Sequence, residues 1–112
     1  MKSEIQDHGD VRIIKLSGKI TIGAGDVQLR DLILGSLDEG REKILLDLGG
    51  VTAMDSSGIG EMVASYTTAT KRGGQLKLLR LSPKINDILQ VTQLITVFDV
   101  FDNESKALAA FG

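Results

Sequence analysis

The run KILLDL, residues 43 to 48, constrains this chain more than any other stretch. It is short, almost continuously apolar, and carries none of the polar alternation of a half-solvated strand. Such a run marks a strand covered on both faces, as in a parallel sheet sandwiched between other elements. A chain containing it must supply elements that cover it.

The surrounding sequence supplies them in alternation. Glu4 to Asp7 and Val11 to Ser17 read as two strands around the turn His8-Gly9-Asp10, a hairpin signal. Val27 and Leu34, with the series Leu29, Ile33 and Leu37, recur at helical spacing. They predict a helix over about Gly25 to Glu39, stopped by Gly40. After Ser57, the residues Ile59, Met62, Val63 and Tyr66 form one helical stripe that ends near Gly73-Gly74. Gln75 to Leu81 reads as a further strand. Ser82-Pro83 opens another helix, with Ser as cap, Pro in the first turn, and Ile85, Ile88 and Leu89 as apolar face. Val97 to Val100 reads as a last short strand, and Asp102-Asn103 as the cap of a helix burying Leu108 and Phe111.

The order is ββαβαβαβα. Strand–helix–strand units imply a largely parallel sheet with right-handed crossovers, edged by the antiparallel opening hairpin. The expected fold class is α/β: a mixed β-sheet, with a parallel core and an N-terminal hairpin, packed with about four α-helices. With 112 residues and no linker, repeat or low-complexity tract, residues 1–112 should form one domain.

Composition narrows the function. Fifteen acids against 13 bases give a net charge of −2, which disfavours nucleic acid as a partner. Cysteine is absent, so disulfide and thiol chemistry are excluded and a cytoplasmic location is expected. The opening MKSEIQDHGD lacks the apolar stretch of a secretory signal. No run approaches the ~20 apolar residues that cross a bilayer, so no membrane insertion is expected.

Enzyme chemistry is poorly provided for. His8 is the single histidine and falls in the first predicted turn, where it reads as a solvated turn residue. A Ser-His-Asp relay could use no other base, and zinc would find few ligands. No GK[ST] follows Gly49-Gly50-Val51-Thr52, so that stretch is not a phosphate loop. Gly58-Ile59-Gly60 lacks the third glycine of a dinucleotide fingerprint, and MDSSG does not match a nucleophile elbow. The expectation is a non-enzyme with no cofactor and no metal.

The stretch MDSSGIGE, residues 54 to 61, is the remaining oddity. Asp55, Ser56 or Ser57 could each cap the helix that follows, and capping alone would explain all three. It would not explain the glycines. Each costs about 1 kcal/mol relative to Ala within a helix, so Gly58 and Gly60 together handicap the first turn by roughly 2 kcal/mol. Glycine admits close approach, either by the protein's own sheet or by an outside molecule. A phosphate on a serine here would meet free N–H groups and the positive end of the helix dipole, so the fold would tolerate it. It would also add up to two negative charges beside Asp55 and repel a partner fitted to the uncharged surface.

The hexapeptide Asp55-Ser56-Ser57-Gly58-Ile59-Gly60 resembles the D-S-[ST]-G-[LI]-G signature of bacterial anti-sigma factor antagonists, single-domain members of the STAS family. The likeness extends to the hairpin, the Ser17-Gly18 strand end, the Gly73-Gly74 turn before Leu76-Lys77-Leu78, and the Ser82-Pro83 helix start. In that family the unphosphorylated antagonist binds an anti-sigma factor that is also a serine kinase, and so frees a sigma factor. The kinase phosphorylates the serine after the Asp, ending the binding, and a PP2C-type phosphatase reverses it. The resemblance therefore implies Ser56 as phospho-acceptor, with Asp55, Ser57, Gly58, Ile59 and Gly60 shaping the docking surface. On this reading the glycines keep the helix start clear for the partner.

One segment departs from the family. Many relatives carry an acid–apolar–Asp pattern after the glycine that closes the second strand. Here Gly18 is followed by Lys19-Ile20-Thr21 and a Gly23-Ala24-Gly25 loop. In the family that segment lies near the phospho-site and helps contact the partner, so Lys19 and Thr21 join the candidate surface. The change is either altered partner choice or ordinary loop drift. Two other functions fit the same residues. One is a constitutive STAS subunit of a transport or stress-signalling complex. The other is nucleotide or small-ligand binding at the same helix start, where Lys19 is the nearest basic candidate.

Overall fold

The computed structural model describes residues 1–112, which span 31 × 27 × 24 Å along the principal axes. Five strands form a single sheet in simple sequential order: β1 (Lys2–His8), β2 (Val11–Ile20), β3 (Lys43–Met54), β4 (Gln75–Leu79) and β5 (Val100–Phe101). β1 and β2 pair antiparallel, and every later neighbour pairs parallel. Four helices connect and flank them: α1 (Gly25–Asp38), α2 (Ser56–Lys71), α3 (Pro83–Val91) and α4 (Glu104–Ala109). This is the expected ββαβαβαβα order, with a 3-10 turn at Leu94–Thr96 added before β5.

The run KILLDL is buried from Ile44 to Leu48, as its composition requires. Ile44, Leu45, Leu46 and Leu48 are each wholly inaccessible to solvent. Alternation sends Ile44, Leu46 and Leu48 into the main core, where they meet Leu29, Ile33 and Leu37 of α1, Met62 and Ala69 of α2, and Ile85 and Leu89 of α3. Leu45 points the other way, into a smaller cluster with Val11, Ile13, Leu79 and Ala107 of α4. Three helices therefore cover one face of the sheet, and a single short helix covers part of the other.

Several boundaries differ from the sequence expectation, each for a physical reason. β3 continues past Leu48 to Met54, and β2 past Ser17 to Ile20, because the two strands keep pairing through irregular register. His8 is the last residue of β1 and pairs with Val11, so the turn is Gly9-Asp10 alone. β4 stops at Leu79, since Arg80 takes a left-handed conformation (φ 51°). The last strand is Val100–Phe101, not Val97–Val100. Phe98 instead turns into the main core, where its ring stacks edge-on against Tyr66 at 5.2 Å. In α4 the fully buried residue is Ala107, with Leu108 and Phe111 only half-buried against it.

The Ser82 cap forms as its sequence predicts. Its Oγ accepts from the Ile85 N–H at 3.4 Å and donates to the Val51 carbonyl at 2.7 Å, tying the start of α3 to the middle of β3.

Candidate functional site

The parallel register brings the ends of β2 and β3 together, pairing Lys19 with Ala53 and Ile20 with Met54. One residue later the chain of β3 turns into α2 at Asp55. The loop leaving β2 passes beside the same point before entering α1. Two helix starts thus converge on one strand end.

Asp55 is the N-cap of α2, in extended conformation, and both carboxylate oxygens are engaged. Oδ1 accepts the Gly58 N–H at 3.0 Å, satisfying one of the free donors of the first turn. Oδ2 accepts the Ile22 N–H, also at 3.0 Å, from the β2–α1 loop. One side chain therefore caps a helix and pins a loop to it. The Ile22 amide, then the Gly58 amide, hold the carboxyl below its ordinary range, because both donors favour the charged form. Asp55 is a strut of the site as much as part of its surface.

The two glycines of the motif have different roles. Gly58 is buried, and a Cβ there would collide with the Ile20 carbonyl oxygen and lie 2.8 Å from Met54 Cγ. Its lack of a side chain lets α2 press against the end of β2, so at Gly58 the glycine serves internal packing and not an open docking surface. Gly60 is the reverse: it is exposed, and nothing within 4 Å would meet a Cβ. The clear helix surface inferred from the sequence exists at Gly60 alone.

Ser56 is the first residue of α2, exposed, and its hydroxyl has no hydrogen-bond partner in the protein. Ser57 and Ile59 are half-buried, and Ile59 packs against the main core. Lys19 is exposed on the adjacent strand end. Thr21 is half-buried, and its carbonyl accepts the Asp26 N–H at 3.2 Å. His8 lies at the opposite end of the sheet: it pairs with Val11, which pairs with Lys43 at the start of β3, whereas Ser56 follows the end of that strand. At about 3.3 Å per residue, a Ser56–His8 relay is out of reach.

One residue at this site was not read from the sequence. Ile22 is 74% exposed, a large apolar side chain standing in solvent on the loop that Asp55 holds. The available signal was an isoleucine embedded in the small, flexible stretch Gly23-Ala24-Gly25, with no helical or strand periodicity to bury it. No three His, Asp or Glu side chains gather as a metal site, and no helix is long and apolar enough to cross a membrane.

The exposed serine thus stands at a braced helix start, beside an open glycine and a solvent-facing isoleucine, on a mixed-sheet domain. The STAS domain description matches residues 2–107, and the chain belongs to that family. It is similar to the anti-sigma F factor antagonist of Paenibacillus polymyxa, with 27% identity covering 96% of this chain and 92% of that one. It is also similar to the anti-sigma-B factor antagonist of Bacillus subtilis, at 28% identity over 85% and 84% of the two chains. The fold matches that of a candidate anti-sigma factor antagonist from Thermotoga maritima, with a TM-score of 0.88 at 23% identity, covering 97% and 93% of the chains.

Proposed function

We propose that this chain is an anti-sigma factor antagonist switched by phosphorylation of Ser56. In the unphosphorylated form it binds an anti-sigma factor that is itself a serine kinase, and so releases a sigma factor in the cytoplasm. The kinase modifies Ser56 and ends the complex; a PP2C-type phosphatase restores it.

The observation that carries this reading is the free, exposed hydroxyl of Ser56 on the first turn of a helix already fixed by Asp55. A phosphate there needs no rearrangement of the core. It meets first-turn N–H groups and the positive helix end, while placing up to two negative charges beside Asp55. Its effect falls on the partner, through charge and bulk at the surface formed by Ser56, Ser57, Ile59, Gly60, Lys19, Thr21 and Ile22. The names of the relatives support the anti-sigma factor as the partner class.

The test is phosphosite mapping by mass spectrometry on protein recovered from its native cells, with interacting proteins co-purified. Partial phosphate on Ser56, and a kinase-like ATPase bound only to the unmodified form, is the expected result. Absence of phosphate under growth and stress, together with a stable transport or signalling complex, would replace the switch with a constitutive STAS subunit.

A further inference from the structure

The sheet face opposite α1, α2 and α3 carries a second feature, unrelated to Ser56. α4 covers that face only over Val11, Ile13, Leu45 and Leu79. Farther along β2 and β3, and beside the carboxyl end of β4, the same face opens into a groove of ≈ 690 Å³. That volume falls in the range of small-molecule sites. Leu16 is its one hydrophobic lining residue out of ten, and the others are charged, hydroxyl or glycine residues. The charged side chains are Lys2, Lys15 and Arg80 against Glu4 and Asp47: three cations to two carboxylates, a local excess of one positive charge. The whole chain is net negative.

Arg80 is held in place by an unusual arrangement. It is a non-glycine residue with φ 51°, a conformation that persists only where the surroundings enforce it. Its N–H donates to the Phe101 carbonyl at 2.8 Å, and its Nη1 donates to Asp47 Oδ2 at 2.8 Å. Asp47 is nearly buried, and its other oxygen accepts the Gly49 N–H at 3.0 Å. Gly49 leaves room for the crossing: a Cβ there would lie 3.3 Å from both Arg80 Cβ and Asp47 Oδ1. The strand register between β2 and β3 shifts here too, between Lys15 and Ser17. The outcome is a guanidinium laid across the strand into the groove, with Nε and Nη2 without a protein partner. Lys2 and Lys15 also make no ion pair. A pre-oriented arginine fork with free donors is the geometry that recognises an oxyanion.

We propose that this groove binds a small hydrophilic anion, through a phosphate or carboxylate group on Arg80 with Lys15 and Lys2 as further cations. Glu4 supplies an acceptor for a hydroxyl or amine donor on the same ligand. The site lies on the face away from α2, so it stands whether or not Ser56 is a switch.

The experiment is an amide NMR titration of the full chain with inorganic phosphate, and separately with malonate, each matched in ionic strength by chloride. The expected result is saturable shifts at Ser3, Ser17, Gly49, Gly50 and Arg80, with the tighter of the two anions naming the ligand group. Arg80→Gln and Lys15→Gln should each weaken that binding about tenfold, as loss of a charge-assisted contact does. Lys15 is exposed and unpaired, so its variant tests the site even if Arg80→Gln fails to fold. Linear drift that chloride reproduces, saturation centred on Ser56 to Gly58, or unchanged binding in Lys15→Gln would each overturn the proposal.

Discussion

The two helix starts that meet at the end of β2 solve the same steric problem and differ in how they are finished. At α1, Gly25 is buried, and a Cβ would strike the Lys19 carbonyl and lie 2.7 Å from Ile20 Cα. At α2, Gly58 does the same against the Ile20 carbonyl. Each glycine admits a helix end to backbone contact with the strand. The α1 start has no side-chain cap, Ala24 occupying that position. The α2 start has Asp55, bonded to both helix and loop. Packing alone suffices to place a helix; the extra bracing goes to the end that presents Ser56. Under the switch proposed for Ser56, an internal anchor of that kind would let the surface take a phosphate without moving.

The largest expected effects lie at the two buried glycines. Gly58→Ala and Gly25→Ala should each destabilise the domain by about 3 kcal/mol, because overpacking against backbone cannot relax as a side-chain clash can. Thermal unfolding would measure this. A Gly58→Ala protein with the parent Tm would mean that the α2 start is not packed as described.

Asp55→Ala comes next, lowering Tm by about 5 °C through the lost cap and the released loop. Asp55→Asn should recover part of the loss, since its Oδ1 can replace one carboxylate oxygen while its NH2, a donor, cannot accept the N–H held by the other. The pH dependence follows from the depressed carboxyl. Its contribution is complete above the unfolded-state value of ~4 and is lost as acid takes the solution through the lower folded-state value. The difference in Tm between parent and Asp55→Ala should therefore shrink below pH ~4. A difference that stays constant into acid would assign the effect to packing.

Gly60→Ala should act in the opposite direction to Gly58→Ala. With open space around it and ordinary helical backbone, the change should stabilise the domain by about 0.5–1 kcal/mol. Retained glycine at a position where alanine is better for the fold is what a docking surface would require, so pull-down of the partner should weaken as Tm rises. Undiminished binding would remove Gly60 from the interface.

The smallest stability effect belongs to Ser56→Asp, within about 2 °C of the parent, since an acid suits the first turn of a helix. Partner binding should nonetheless fall strongly. Equal losses of binding and stability would make Ser56 a structural residue.

Much of the site was legible because its signals are local. The DSS cap, the strand that precedes it and the helical stripe after it all lie between Lys43 and Tyr66. The expected stripe of α2 meets the core at Met62, with Ile59 and Tyr66 packed half-buried against it, whereas Val63 is half-exposed and the other buried positions are Gly58, Ser65 and Ala69. Small residues such as Gly58, Ser65 and Ala69 carry little hydrophobic signal, and they are buried because the helix approaches its neighbours closely there. The family resemblance pointed to Ser56, and the motif residues around it proved contiguous in space with Lys19 and Thr21 only through the β2–β3 pairing.

By itself the sequence determined the order of elements, the buried run Ile44 to Leu48 of the central strand, the caps at Ser82 and before Gly58, and the family. These rest on periodicities and short-range hydrogen bonding, which a chain carries wherever it folds. Tertiary structure decided that Gly58 faces inward and Gly60 outward, that Asp55 reaches across to Ile22, and that Arg80 is drawn over the sheet to Asp47. Each joins residues distant in sequence or depends on which face meets a neighbour. Such contacts exist only once strand register has set which backbone atoms lie opposite one another.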